Sequence, residues 1–563
     1  MREKDMILRM KFPAAALAAS VVLGTPLWAQ PLDEGEAARV DAVLADLGSP
    51  DEPGVAVGMV RGGEIVLERY VGLADMSNRI PLDADSRINI ASNAKQYVGL
   101  MVLEMARAGT IDLDADFRTY LPDAMPLIEE RLTVAELLTH TSGVRDVYDL
   151  WALTGITWYR ERLRNREAMD LLNRQRELNF APGSEYLYSN SNYILLAEMI
   201  EAVSGEEFED YAAGFFDRLR MESTGWKASP GSIVPDIARA YGKYDGWLED
   251  PATANMHGDG FLFTTLGDQL NWERQLQGAG SALSDAILAQ SQQRPSDALP
   301  GNYGFGLEIS DYRGLAEISH VGSTGGYNAY VRRFPEQDLA IVVMGNTTEI
   351  GVVALGRALS DAILADSYGE GPAYPTGPAV ILARPANADV IGRYRTAGGT
   401  IITIVERDGD LFRDIEGRDP ARLIHERGNL FEYETVEDLK IAFDRSETDE
   451  RRFRIFYPGQ AVATALTFPA PGDDDAAKRA LEGRYVNAES DTEIVIAFKG
   501  ANAFTMTKNG RSGDATLVSP DLIQWNNYQL RFERGEDGSV ERLLVDSNRI
   551  RSVSFEPAPA DAR

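Results

Sequence analysis

The chain has 563 residues, 44% of them hydrophobic and 25% charged, and no cysteine. That length exceeds one ordinary core and predicts about two to four domains, while the missing cysteines exclude disulfides, thiolate catalysis, thiolate metal sites and a lipid-modified N-terminal cysteine. With 87 acidic against 56 basic side chains the net charge is −31, which repels nucleic acid and anionic membranes and argues against both as partners.

In chain order, residues 1–29 read as a secretory signal. Arg2, Lys4, Arg9 and Lys11 precede the apolar run Phe12–Trp28, and Ala29 offers a small residue before Gln30. The run is short and basic-flanked, as a cleaved signal is, and no later stretch is apolar enough to span a bilayer. The expected location is periplasmic or secreted, with no membrane anchor left after cleavage. Residues 30–367 alternate amphipathic helices with short β-branched runs. Val55–Val60 and Glu64–Tyr70 read as a hairpin across Arg61-Gly62-Gly63. A helix from Ser92 to Ala108, apolar around most of its circumference, is predicted to be buried. Ala316–His320, Tyr327–Phe334 and Leu339–Met344 read as antiparallel strands, and Val352–Leu364 as a helix. This pattern is α+β. Residues 368–388 form a linker punctuated by Pro372, Pro375, Pro378 and Pro385. Beyond it helices give way to short alternating strands. Ile391-Gly392-Arg393-Tyr394 and Glu482-Gly483-Arg484-Tyr485 begin two similar segments, so two small antiparallel β-barrels are expected at 389–470 and 481–563, joined by an acidic linker at 471–480.

Three short patterns carry possible chemistry. Ser92-Asn93-Ala94-Lys95 puts a hydroxyl and an ammonium on one helical face, where the lysine can help take the serine proton. A serine at that position also reads as a helix N-cap. Tyr188-Ser189-Asn190 offers a tyrosine that nearby cations could make a general base, and an asparagine able to orient a carbonyl or Lys95. His320-Val321-Gly322, at a strand end, offers a hydrogen bond or positive charge at the serine. Gly322 would let a substrate approach the strand edge, and the Ser323 N–H would complete an oxyanion hole with that of Ser92. His140 and His257 read as loop histidines and His425 as part of the β-rich region. Isolated histidines make no metal cluster, and neither a metal nor a cofactor is required by these patterns.

Taken in order, S-x-x-K, Y-x-N and H-x-G resemble the serine β-lactamase/penicillin-recognising enzyme family over about Val40–Ala365. Thr139–Gly143 and Tyr303-Gly304-Phe305-Gly306-Leu307 are similar to it as well. The resemblance implies a β-lactamase/transpeptidase-like α+β catalytic domain, followed here by two barrels, and an acyl-enzyme mechanism without metal or cofactor. Ser92 would be nucleophile, Lys95 and Tyr188 would manage its proton, and Asn190 and His320 would assist. Histidine in the third motif, in place of the usual lysine, points away from penicillin hydrolysis. It points toward relatives such as D-aminopeptidases, whose architecture matches best and in which a loop of the last barrel enters the active site; Asn509–Ala515 is the expected equivalent. Where a carboxypeptidase of this family carries an arginine for the substrate carboxylate, this chain has Glu308, which would attract an ammonium. The expected substrate is thus a peptide or amide with a free N-terminal D-residue. A D,D-carboxypeptidase, a carboxylesterase, a weak β-lactamase and an inactive peptidoglycan-binding relative remain alternatives, and a homodimer is compatible with the sequence.

Overall fold

The computed structural model describes residues 32–45, 47–368, 383–396, 399–415, 419–434, 439–446, 450–456 and 463–558. The expected signal segment and most of the Pro-rich linker lie outside them.

A seven-stranded antiparallel sheet organises the first part of the chain. Its strands are β1 (Val55–Arg61), β2 (Glu64–Val71), β3 (Tyr303–Gly304), β4 (Leu307–Tyr312), β5 (Leu315–Thr324), β6 (Tyr327–Phe334) and β7 (Leu339–Gly345), in the spatial order β2-β1-β7-β6-β5-β4-β3. The last strands thus return beside the first. Strand alternation divides β1 between two cores. Val55, Val57 and Met59 face helices α1 (Glu34–Leu44) and α5 (Val352–Leu364), whereas Ala56 and Val60 join the large helical core on the other face. That second core holds α2 (Lys95–Arg107), α3 (Asn190–Ser204) and α4 (Leu266–Leu276). Helix α2 is buried around nearly its whole circumference, as its composition predicts.

Two close approaches set the geometry under the site. A Cβ on Gly99 of α2 would lie 2.5 Å from the Phe305 carbonyl, and one on Gly306 would lie 2.2 Å from the Lys95 carbonyl carbon. Gly306 also has φ +84°, a left-handed conformation that costs glycine little. The turn between β3 and β4 is therefore seated directly on the first turn of α2.

Beyond the linker come two closed barrels of eight antiparallel strands each, running from Gly392–Thr396 to Ala463–Thr467 and from Gly483–Asn487 to Val553–Pro557. The repeated Gly-Arg-Tyr opens each barrel for one reason. Tyr394 and Tyr485 are buried, and each hydroxyl donates to the carbonyl four residues back, Val390 at 2.8 Å and Leu481 at 3.1 Å. The segment expected as a plain acidic linker holds a short helix, Asp475–Arg479, because Asp474 accepts from the N–H groups of Ala476 and Ala477 at its start.

Replacing Gly306 with alanine is expected to cost at least about 2 kcal/mol, from left-handed strain and the clash with Lys95. A lowered urea midpoint for the catalytic-domain transition checks this; an unchanged midpoint would show that the β3–β4 turn is not seated on α2.

Candidate active site

Ser92 does not cap α2. It sits in a short 3-10 turn, Ala91–Ala94, that runs into the helix, and its side chain caps no backbone N–H. In such a turn residues three apart eclipse one another, so Lys95 Nζ lies 3.1 Å from Ser92 Oγ. Ala91, just before the serine, has φ +47°, a strained value for a residue with a Cβ.

Lys95 is fully buried. Its Nζ donates to Asn190 Oδ1 at 2.9 Å and to the Asp259 carbonyl. Burial pulls its pKa down to about 7, and the charge of Arg549 pushes the same way, while Asp259 and Asp146 oppose. The amine is thus close to its titration point at neutral pH, as a general base should be. Asp259 is held in turn by the Tyr148 hydroxyl at 2.8 Å, and burial raises its carboxyl to about 6.

Asn190 begins α3 and is oriented by Asp146, whose Oδ2 accepts from Asn190 N at 2.7 Å and from Nδ2 at 2.8 Å. With its amide N–H groups committed to Asp146, the Asn190 oxygen is left facing Lys95.

Tyr188 is near enough to Ser92 for the two hydroxyls to interact, and its ring lies 4.9 Å from Lys95 Nζ. Burial raises the phenol pKa; the Ser92 hydroxyl and the Arg549 charge act against that rise. His140 packs against this ring with centroids 4.2 Å apart. Its Nδ1 accepts from Ser189 N at 3.2 Å and faces Asn192 Nδ2 at 3.1 Å, so it orients the Tyr188 segment. The loop reading of His140 holds for its backbone, at φ +57°, but the buried ring serves the site.

His320 lies on β5 with its ring centroid 6.2 Å from that of Tyr188. Its Nδ1 is 2.7 Å from the Val321 carbonyl, which only accepts, so Nδ1 carries the proton and Nε2 accepts from the Tyr303 hydroxyl at 2.8 Å. Burial, reinforced by Lys95, lowers its pKa to about 3. The expected positive charge is therefore absent at neutral pH, and both ring nitrogens are committed away from Ser92.

Gly322 matters for a different close approach than the expected one. A Cβ there would meet the Ile90 carbonyl at 2.2 Å and Ser92 N at 3.0 Å, so the glycine lets β5 lie against the serine turn itself. Strand β4 pairs with β5 only as far as Ser319, whereas β6 continues to Thr324. The β5 edge from His320 to Ser323 is thereby left beside Ser92. Glu308 pairs with Tyr303 and Ser319 and is half-buried. Ser319 and His320 alternate across β5, so Glu308 starts from the face opposite His320; its charge still raises the pKa of Tyr186 and Tyr303. The carboxyl itself is raised by burial and by Glu317, and it has no hydrogen bond or ion pair among the described residues.

The segment Asn509–Ala515 does not enter the site. Asn509 and Gly510, at φ +49° and +78°, close a two-residue hairpin. Asn509 Nδ2 donates to the Thr154 carbonyl, and neighbouring Lys508 Nζ to the Ala152 carbonyl at 2.7 Å, both at the end of the helix Val147–Thr154. The turn is too short to reach further. The segment that does enter is the longer loop 547–552, between strands Val540–Asp546 and Val553–Pro557 of the second barrel. It puts the Arg549 guanidinium 4.9 Å from the Tyr188 ring.

The family model described as Beta-lactamase matches residues 38–365. The chain belongs to the Beta-lactamase family. A D-aminopeptidase from Brucella anthropi is 26% identical over 540 residues, covering 89% of this chain and 95% of that protein. A D-aminopeptidase from Brucella canis is 28% identical over 321 residues, which make up 54% of this chain and 60% of the relative's length. Among solved structures, the octameric penicillin-binding protein homologue from Pyrococcus abyssi shares the fold at 18% identity and TM-score 0.53, covering 76% of this chain and 99% of that one. SurE does so at 23% identity and TM-score 0.50, covering 77% of this chain and all (100%) of that one. The protein is thus a serine hydrolase with the β-lactamase-like α+β domain and two C-terminal barrels.

Sequence reasoning missed Asp146, Asp259 and Arg549. The first follows Thr141-Ser142-Gly143 closely and the second lies in His257-Gly258-Asp259-Gly260, so both stood in segments already marked as turns. Arg549 has no local signal.

The acylation rate at Ser92 is expected to rise with pH through about 7 as Lys95 loses its proton. A pH profile of kcat/KM on a peptide substrate checks this, and a profile flat from pH 5 to 9 would remove Lys95 as the base. Asp146→Asn, which breaks the hold on Asn190, should slow acylation about 10- to 100-fold; stopped-flow with a chromogenic substrate measures it.

Proposed function

We propose that this hydrolase is a D-aminopeptidase-like enzyme that releases N-terminal D-residues from peptides or amides through an acyl-enzyme. The observation that carries the reading is the buried chain Ser92–Lys95–Asn190–Asp146. Glu308 adds to it as a half-buried carboxylate without hydrogen bond or ion pair among the described residues; it starts from the far face of β4 but is near enough to Tyr186 and Tyr303 to raise both phenols. The similarity to the Brucella anthropi D-aminopeptidase over most of both chains supports the same choice.

Neutral Lys95, with Tyr188, takes the proton as Ser92 Oγ bonds to the carbonyl carbon. The backbone N–H groups of Ser92 and Ser323 hold the oxyanion at the β5 edge. The C–N bond then breaks and Tyr188 returns the proton to the departing amine. Water attacks the ester, the residue leaves as its acid, and Ser92 recovers its proton. His320, neutral, holds Tyr303 against the site and takes no charge in the cycle. Glu308 receives the substrate ammonium, whose charge it complements. Export by the N-terminal segment would place this reaction in the periplasm or outside the cell.

Comparing D-alanine p-nitroanilide with its N-acetyl form, an acyl-D-Ala-D-Ala peptide and p-nitrophenyl acetate tests the reading. The free amine should be preferred; preference for the N-blocked compounds would sink it in favour of a carboxypeptidase or esterase. Glu308→Gln is expected to raise KM for the free amine by about tenfold or more, and more than for the N-acetyl compound. Equal changes would take Glu308 out of substrate binding.

A further inference from the structure

Among the described residues the guanidinium of Arg549 makes no hydrogen bond; it lies over the Tyr188 ring and beside Asp146. Among the described residues, only its backbone is hydrogen-bonded: its N–H donates to Asp149 Oδ2 at 2.7 Å, and its carbonyl accepts from Asn179 Nδ2 at 3.1 Å. The Arg551 N–H, two residues on, donates to Asn179 Oδ1 at 2.7 Å, so the loop is held at residue 549 and just beyond it. The side chain is different. The nearest anion is Asp146 at 3.8 Å, beyond hydrogen-bond distance. Asp146 is already satisfied, its Oδ2 by Asn190 and its Oδ1 by the N–H groups of Tyr148 and Asp149. A planar fork of N–H donors thus lies over the Tyr188 ring with no acceptor at hydrogen-bond distance among the described residues.

Tyr188 lies beside Ser92 and, in the cycle proposed above, protonates the departing amine. In that cycle the departing group would lie against Tyr188, the ring that Arg549 covers. The geometry points to Arg549 as the receptor for a carboxylate on the leaving group, which makes the substrate a short peptide whose departing part is an amino acid with a free C-terminus. Such a carboxylate lies two bonds from the departing nitrogen, and guanidinium binds it with two parallel hydrogen bonds. With Glu308 offered to the ammonium, the site then carries opposite charges for the two ends of a dipeptide. This rests on the acyl-enzyme reading, and adds to it that the second barrel, not the catalytic domain, reads the leaving group.

The test compares D-Ala-D-Ala with its C-terminal amide and, as a second pair, N-acetyl-D-Ala-D-Ala with its amide, on the full chain. The free carboxylate should be preferred over the amide by about 10- to 100-fold in kcat/KM. Arg549→Gln should bring that ratio near one, and Arg549→Lys, which keeps the charge and loses the fork, should leave an intermediate ratio. The ratio within one variant is insensitive to a general loss of activity, and labelling of Ser92 by a fluorophosphonate reports that the site is intact. Equal rates on acid and amide in the natural protein overturn the proposal, whatever the variants do. So does a preference that survives Arg549→Gln, which would leave Arg549 as a strut for the loop. The N-acetyl pair separates the two readings: if blocked substrates react faster but still prefer the free acid, the aminopeptidase reading fails while the Arg549 assignment stands.

Discussion

The site depends on burying an amine that water would otherwise keep charged. Lys95 has no exposed surface, and its three acceptors are a hydroxyl, an amide oxygen and a backbone carbonyl. None is a carboxylate, so desolvation wins and the proton is held weakly. Had Asp259 met the amine with its carboxyl group, the ion pair would have raised the lysine pKa and kept the amine protonated. Instead Tyr148 turns that carboxyl aside and the carbonyl faces Lys95. Asn190 is turned the same way by Asp146. The buried aspartates orient neutral groups around the amine and keep their charges one step away.

This arrangement extends across the domain boundary. Arg145, adjacent to Asp146, is fully buried and pairs at 3.0 Å with Glu489 of the second barrel; it also donates to the Ser552 carbonyl at 3.2 Å. Glu177 of the catalytic domain is its other anion, at 3.5 Å and half exposed; loss of the closer Glu489 would raise the desolvation cost of the buried guanidinium, so docking of the barrel and integrity of the Asp146 turn are linked. The loop 547–552 that accepts from Arg145 also carries Arg549 to Tyr188. One end of the second barrel therefore holds Arg145 and brings Arg549 to Tyr188.

Histidine served two ends that its sequence setting does not separate. His320 stands in the motif and is neutral, bound to Tyr303 and to its own strand. His140, in a segment that reads only as a turn, touches the ring of Tyr188 more closely than His320 does. Both follow from burial: two imidazoles beside a lysine in a water-poor pocket are driven to the neutral form. They act as hydrogen-bonding spacers in the same aromatic cluster.

Much was legible along the chain. The Ser92-to-Lys95 spacing, the apolar circumference of α2, the returning strands and the twin Gly-Arg-Tyr openings are local patterns, and local patterns state which residues share a turn, a face or a repeat. They determine the α+β domain, the two barrels and the motif residues. Ser92 as a helix cap was a local reading that failed, because the tight turn before α2 is imposed by packing against β5 at Gly322. What only the tertiary structure decided is which distant groups meet: Asp146 with Asn190, the Asp259 carbonyl with Lys95, and Arg549 with Tyr188. Those contacts join segments whose own sequences carry no trace of the partner, and the charge state of the site follows from them because burial is a property of the assembled fold.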